Sequence, residues 1–251
     1  MFSAEDLTED GFLGGRLRIL QPRRGYRAAT DPVLLAAAVI ARQGDSVLEL
    51  GCGAGVASLC LAARVPGLTL AGLEVQPSYA DLARRNAALN GFAFEVVEGD
   101  LSRMPAALRA RSFDHVIANP PFFPPASGTT AADAGRERAQ REATPLADWI
   151  DAALKRLTPG GRITLIQRTE RLPEILALLS GRAGDVAALP VAAREGREAG
   201  RVIVIARKGA KGPFRLAAPF ILHAGATHIS DGDDYTEAAR VVLRTGATLG
   251  F

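Results

Sequence analysis

The chain has 251 residues, 48% of them hydrophobic, with 30 Lys and Arg against 27 Asp and Glu, a net charge of +3 and a pI near 9.2. Its length supports one well-cored domain, and neither a long apolar run nor a basic-then-apolar leader occurs, which argues against a membrane span and a signal peptide. Only Cys52 and Cys60 occur, which excludes a disulfide framework and fits a reducing cytosol.

The basic residues are overwhelmingly Arg. This balance suits a polyanionic partner such as nucleic acid, and equally a compositional bias that the Ala and Gly content also suggests. Residues 1–30 read as an N-terminal extension in which residues 16–21 alternate like a half-exposed strand. Thr30-Asp31-Pro32 opens a helix: Asp31 suits the cap, Pro32 the first helical position, and an aliphatic run follows to Ile40, with Gly44 as the stop. Residues 31–251 then read as a single domain.

From residue 46 onward strand and helix patterns alternate. Strands are expected at 46–50, 69–74, 94–97, 113–118 and 162–167, and helices at 56–64, 78–89, 147–157 and 170–179. Pro159-Gly160-Gly161 should end the third of those helices. The pattern predicts an α/β fold with a mostly parallel sheet and helices on both faces. Segments 186–192 and 201–207 have too short a loop between them for a helical crossover, so they should form an antiparallel hairpin at one edge.

Two strand tips carry chemistry. The first strand runs into Glu49-Leu50-Gly51-Cys52-Gly53-Ala54-Gly55 and then a helix, so glycines permit a tight turn and close approach of a ligand to the backbone. A dinucleotide fingerprint would need Gly or Ala where Val56 stands, and no Lys-Ser/Thr follows, which excludes a P-loop. The second strand ends in Glu74, whose carboxylate can accept from both hydroxyls of a ribose; the third leads into Asp100, which can accept from an adenine amino group. Taken singly, each acidic residue reads as a strand end or a helix cap. Three at successive tips after one Gly-rich turn point to adenosine.

The second informative tip is Asn119-Pro120-Pro121-Phe122, which follows the apolar run 113–118. Two prolines cannot continue a sheet ladder, so the strand must stop there and present a rigid rim. Asn119 offers an amide oxygen, Pro120 a carbonyl, and Phe122 a flat apolar face, parts that suit a planar amine. An Asn-Pro pair is also a common turn signal. The Ala-, Gly-, Thr- and charge-rich stretch 124–142 that follows is expected to be a mobile lid. Among the histidines, His115 reads as packed, and His223 and His228 lack metal-ligand spacing.

With these residues in view, the sequence resembles a class I S-adenosylmethionine-dependent methyltransferase, and more closely the bacterial tRNA adenine-N6 methyltransferases. The likeness runs from about Gly25 to Arg240 and includes Tyr26-Arg27-Ala28-Ala29-Thr30-Asp31, the Glu49–Gly55 loop, Glu74, Asp100, Asn119-Pro120-Pro121-Phe122-Phe123, Arg141-Glu142 and Asp234-Tyr235-Thr236-Glu237-Ala238. Family members often have Tyr at the position of Phe122, a change that keeps stacking and removes a hydroxyl.

The resemblance implies a Rossmann-like fold with a seven-stranded sheet. It implies that the loop from Glu49 through Gly51, Cys52, Gly53 and Gly55 holds the cofactor's amino-acid end, Glu74 its ribose and Asp100 its adenine. Arg27 and Thr30 would close the other side, and Asn119 would face both cofactor and target. The implied reaction is methylation of the exocyclic N6 of adenine in RNA, most closely tRNA position 37 beside the anticodon, with no metal. Asn119, Pro120, Pro121 and Phe122 would be catalytic. Alternatives are a protein-glutamine N5-methyltransferase, an rRNA guanine-N2 methyltransferase, or a non-enzymatic RNA-binding module with a vestigial pocket. Candidate RNA contacts are Arg23, Arg24 and Arg27; Arg136, Arg138 and Arg141; and Arg194, Arg197 and Arg201.

Overall fold

A computed structural model describes residues 1–122, 144–225 and 234–250. The expected lid at 124–142, with Arg136, Arg138 and Arg141, lies outside the described residues, as do Phe123 and His228.

The chain begins with an antiparallel hairpin, β1 (Leu7–Phe12) and β2 (Leu17–Pro22), paired from Leu7↔Pro22 to Phe12↔Leu17. Its inward residues Leu7, Leu17 and Ile19 are buried, and Asn86 ties the hairpin down by accepting from Leu20 N at 2.8 Å and donating to Leu20 O at 3.1 Å. Helix α1 (Asp31–Ala38) is buried throughout, as a helix apolar on every side must be. It ends before the expected Ile40 because Val39 turns to extended geometry.

Strands β3 (Ser46–Leu50), β4 (Thr69–Glu74), β5 (Phe94–Glu98), β6 (Phe113–Ala118) and β7 (Leu157–Arg168) form the parallel part of the sheet. The expected antiparallel hairpin is present as β8 (Ala183–Ala192) and β9 (Ala199–Lys208), and β9 lies between β8 and β7. Among the described residues the sheet has nine strands rather than seven: β10 (Arg215–Leu216) and β11 (Phe220–Ile221) add along β8. Two residues are too few to carry an alternation that sequence reading could detect.

Successive residues of the central strands face opposite layers. Leu48, Leu50, Val116 and Ala118 join one apolar cluster with helices α4 (Ala106–Arg109), α5 (Leu146–Arg156) and α6 (Leu172–Leu179). Val47 and Ile117 join the other with α1, α2 (Val56–Arg64), α3 (Pro77–Leu89), the N-terminal hairpin and α7 (Glu237–Thr245). Both faces are covered, as an almost fully parallel sheet requires.

One expectation needs correcting. Pro159-Gly160-Gly161 does not separate a helix from a strand; β7 already begins at Leu157, directly after α5. The pairing jumps from Phe113↔Leu157 to His115↔Arg162, so the extra residues are taken up in a bulge with Gly160 at φ +78°.

In the sheet, β3 lies between β4 and β6, and β5 lies beyond β4. The chain therefore builds outward from β3 to β5, then returns to the other side of β3. That reversal opens a crevice at the carboxyl ends of β3 and β6, where ligands bind in open α/β sheets. Leu50 and Ala118 are paired in register, so Gly51 and Asn119 leave the sheet side by side.

Candidate functional site

A cavity of about 310 Å³ opens at this crevice, within the range of small-molecule sites. Its lining includes Tyr26, Arg27, Asp31, Glu49, Gly51, Cys52, Gly53, Glu74, Val75, Asn119, Pro120, Pro121, Phe122 and Trp149. The β3 loop and the Asn-Pro-Pro-Phe rim, 64 residues apart in sequence from Gly55 to Asn119, thus face one space.

The β3 loop is built for close packing. Gly51, Gly53 and Gly55 all have positive φ, at +64°, +53° and +82°. A Cβ on Gly51 would lie 2.6 Å from Trp149 Cη2, so the indole of α5 rests directly on this backbone. Cys52 is buried and burial pushes its thiol well up, leaving a neutral core side chain rather than a nucleophile.

The acidic side is unusual for a buried surface. Asp31, Glu49 and Glu74 are all buried while lining the cavity. Glu49 Oε2 accepts from Ser58 N at 3.0 Å and from Ser58 Oγ at 2.5 Å, yet burial pushes its carboxyl up to about 7. Glu74 accepts from Gly53 N and Gln76 N, each at 2.8 Å, and burial raises it as well. Neither has a cationic partner among the described residues. Asp31 does: Arg201 Nε lies 2.7 and 2.8 Å from its two oxygens, although burial still outweighs that cation and raises the carboxyl. Desolvated carboxylates without counterions favour a positively charged ligand. The sulfonium and ammonium of S-adenosylmethionine supply such charge, so this wall fits that cofactor.

The opposite wall is neutral and rich in acceptors. Asn119 Oδ1 is buried with no hydrogen-bond partner among the described residues, a costly state that a ligand N–H relieves. Pro120 is buried, and Phe122 is partly buried at the rim. Trp149 Nε1, which also lines this cavity, is likewise buried without a hydrogen-bond partner among the described residues.

Tyr26 roofs the site. The Tyr79 hydroxyl on α3 accepts from Tyr26 N at 2.9 Å and donates to Tyr26 O at 3.1 Å. Burial, reinforced by Asp31, Glu49 and Glu74, drives the Tyr26 hydroxyl upward, so it stays protonated as a donor.

Other sequence candidates stand elsewhere. Asp100 does not line the cavity: its Oδ1 caps the short turn Leu101–Arg103 by accepting from Ser102 N and Oγ, each at 2.7 Å. Thr30 precedes α1 without a side-chain capping bond and is also absent from the lining. Arg27 lines the cavity, but its guanidinium is held by Asp10 at 2.5 Å and by Thr8 Oγ1 at 2.7 Å.

Of the arginines proposed for RNA, Arg23 donates to Glu5 O at 3.0 Å. Arg201 is committed to Asp31. Arg194 is paired with Asp234, which also holds His223 Nδ1 at 2.5 Å, the His223 ring being stacked on Tyr235. Arg24 and Arg197 form no side-chain bond among the described residues and remain available.

Two residues at or behind the site were missed from sequence: Trp149, which lines the cavity, and Gln167, which lies behind the proline rim. Trp149 lies within a helical pattern and carries no separate signal there. Gln167, buried at the tip of β7, carries a clearer signal: a polar residue that directly follows Leu165 and Ile166 at the end of an expected strand.

The comparisons with known proteins agree with this geometry. Residues 29–188 match the family model "Methyltransferase small domain". A tRNA1(Val) (adenine(37)-N6)-methyltransferase of Porphyromonas gingivalis is 35% identical over 199 residues, covering 73% of this chain and 77% of that protein. One from Dickeya chrysanthemi is 29% identical over 84% of this chain and 85% of its own. Among solved structures, a predicted O-methyltransferase from Agrobacterium tumefaciens superposes with a TM-score of 0.70 at 27% identity, over 87% of this chain and 98% of that one. A Thermus thermophilus 16S rRNA N2 G1207 methyltransferase, solved with AdoMet and guanosine, shares the fold at a TM-score of 0.56 and 19% identity, over 80% of this chain and 50% of that one. With a crevice in which an acidic wall faces an orphaned amide acceptor, and with a family model matched over most of its length, the chain belongs to the methyltransferase small domain family.

Proposed function

We propose that the chain transfers a methyl group from S-adenosylmethionine to the exocyclic N6 of adenine in tRNA, at position 37 beside the anticodon. The observation that carries this reading is the buried, unpartnered Asn119 Oδ1 in a cavity whose facing wall holds uncompensated carboxylates. The named activity of the relatives from Porphyromonas gingivalis and Dickeya chrysanthemi supports the choice of tRNA adenine.

When bound, S-adenosylmethionine supplies a methyl group on a positively charged sulfur. Glu49 and Glu74 offset the cofactor's positive charge in a desolvated site, and Gly51 and Gly53 let it approach the backbone closely. An aryl amine is a weak nucleophile because its lone pair is delocalised into the ring. Asn119 Oδ1 and the Pro120 carbonyl accept its two N–H bonds, which draws the nitrogen toward tetrahedral geometry and concentrates the lone pair. Phe122 stacks on the base, and the prolines keep the rim from yielding. The methylated nitrogen sheds one of its protons to solvent after transfer, because neither carbonyl oxygen is basic enough to keep it. A stacked base is unreachable, so the target must be unstacked or extruded from its loop.

On this reading residues 31–251 are the methyltransferase domain and the first 30 an accessory hairpin. Arg24 and Arg197 are the exposed cations for phosphate contact, and the enzyme works in the cytosol with its tRNA. The test is transfer of labelled methyl to separate tRNA, rRNA and protein fractions, followed by digestion. N6-methyladenosine from tRNA is the expected product. N2-methylguanosine from rRNA or methylated glutamine from protein would overturn the assignment.

A further inference from the structure

We infer that Gln167 is a positioning residue for methyl transfer, holding the proline carbonyls of the rim so that one lone pair of the Pro120 oxygen faces the target amine. The inference rests on the reading of Asn119 and Pro120 as the acceptors for that amine.

The need for such a residue follows from the rim's own composition. Strands β6 and β7 pair up to Ala118↔Leu165. Beyond that point β6 becomes Asn119-Pro120-Pro121, and neither proline has an N–H to continue the ladder. The tip of β6 would otherwise hang from the sheet by its carbonyls alone. Gln167, two residues past the last pair on β7, restores the connection with its side chain. Its Nε2 donates to Pro120 O at 3.3 Å and to Pro121 O at 3.3 Å. Its Oε1 accepts from Arg168 N at 2.8 Å, which fixes which end of the amide faces the prolines. The residue is only 1% exposed, and its backbone is paired with Val202 of β9, so the amide has no freedom to swing away.

Both Gln167 N–H bonds are therefore spent on the rim. The Pro120 carbonyl keeps its second lone pair, since a carbonyl oxygen accepts two hydrogen bonds. Gln167 touches no reacting atom in this arrangement. It acts through the direction of a carbonyl, and misplacement of a reacting group by about 1 Å can cost on the order of 100-fold in rate.

The test is steady-state methyl transfer by Gln167→Leu and Gln167→Glu beside the unaltered enzyme, with S-adenosylhomocysteine binding and Tm measured on each. Gln167→Leu keeps the approximate volume and removes both donors, and kcat should fall about 10- to 100-fold. KM for RNA and affinity for S-adenosylhomocysteine should stay within about twofold, which loss of packing alone would not produce. In Gln167→Glu, kcat at saturating substrates should rise as pH falls, because the protonated acid regains one donor and the carboxylate repels both carbonyls. Equal kcat for Gln167→Leu and the unaltered enzyme would overturn the inference, as would parallel losses of Tm, cofactor affinity and kcat. If the unaltered enzyme instead methylates an amine in rRNA or protein, the tRNA reading fails, and the same variants are compared on that substrate.

Discussion

The tips of β3 and β6 are neighbours in register and opposite in chemistry. After Leu50 the chain runs through glycines at positive φ, which let a ligand approach the backbone, and it is backed by the buried carboxylates of Glu49 and Glu74. After Ala118 it runs through Asn119 and two prolines, a segment rigid in φ that presents oxygen atoms. Each tip is steadied by a side chain from the next strand outward. Glu74 of β4 accepts from the glycine loop at Gly53 N, and Gln167 of β7 donates to the proline carbonyls. One crevice thereby gains a carboxylate-backed side and a neutral acceptor side without any residue belonging to both. Two substrates with different requirements can then meet at its centre.

Removing the orphaned acceptor breaks this contrast most severely. Asn119→Ala should lower kcat by about 100- to 1000-fold, the scale of losing a hydrogen-bonding group that acts in the transition state. Calorimetric affinity for S-adenosylhomocysteine should be nearly unchanged; comparable loss of both would assign Asn119 to the cofactor side of the crevice.

Gly51→Ala probes the other tip. Its Cβ would meet the Trp149 ring at 2.6 Å at a φ of +64°, so cofactor affinity should drop and unfolding free energy should fall by about 1–3 kcal/mol. Adding Trp149→Ala should recover part of the binding loss, and its absence in a calorimetric double-mutant cycle would remove the indole as the cause.

Phe122→Ala should raise KM for RNA with little change in cofactor binding, by the roughly 1–3 kcal/mol that stacking contributes per base. An unchanged KM would show that the target is held elsewhere.

The smallest effect sharpens the electrostatic half of the comparison. Because burial holds Glu49 near 7, a cationic ligand should expel its proton, and affinity for S-adenosylmethionine should rise with pH through that value. Stability moves the other way. A carboxyl raised from 4.5 to about 7 in the folded state favours folding below pH 4.5, and that contribution is lost as pH rises to 7. Glu49→Gln should flatten both profiles, read by calorimetry and by thermal melts of the free protein.

Much of this arrangement was legible from residue order, and the reasons are specific. Strands Ser46–Leu50, Thr69–Glu74 and Phe113–Ala118 begin and end where their apolar runs and glycine or proline stops place them. The pairing of β8 with β9 followed from a loop too short to cross the sheet. Strand β1 escaped notice because Thr8, Glu9 and Asp10 give it little apolar character and only Leu7 is buried along it. The bulge at Pro159–Gly161 imitates a helix stop, since the same residues that end helices also absorb extra backbone in a strand. At the site, Glu49, Glu74 and Asn119 were visible because strand tips on such sheets converge. Asp100 was chosen by the same rule, yet its carboxylate turns to the adjacent Ser102. Side-chain direction at a loop is set by contacts that spacing does not encode. Gln167 and Trp149 depend on contacts between distant segments, which is why neither stood out.

The pair of hydrogen bonds between the Tyr79 hydroxyl and the Tyr26 backbone has a practical meaning for anyone reshaping this protein. It fastens the segment just after the opening hairpin to α3, directly above the buried carboxylates. Trimming the first two dozen residues, or fusing a bulky partner there, would therefore strip the ceiling from the pocket. The damage should register as weakened nucleoside capture, and trimming that reaches Arg24 should weaken phosphate contact as well.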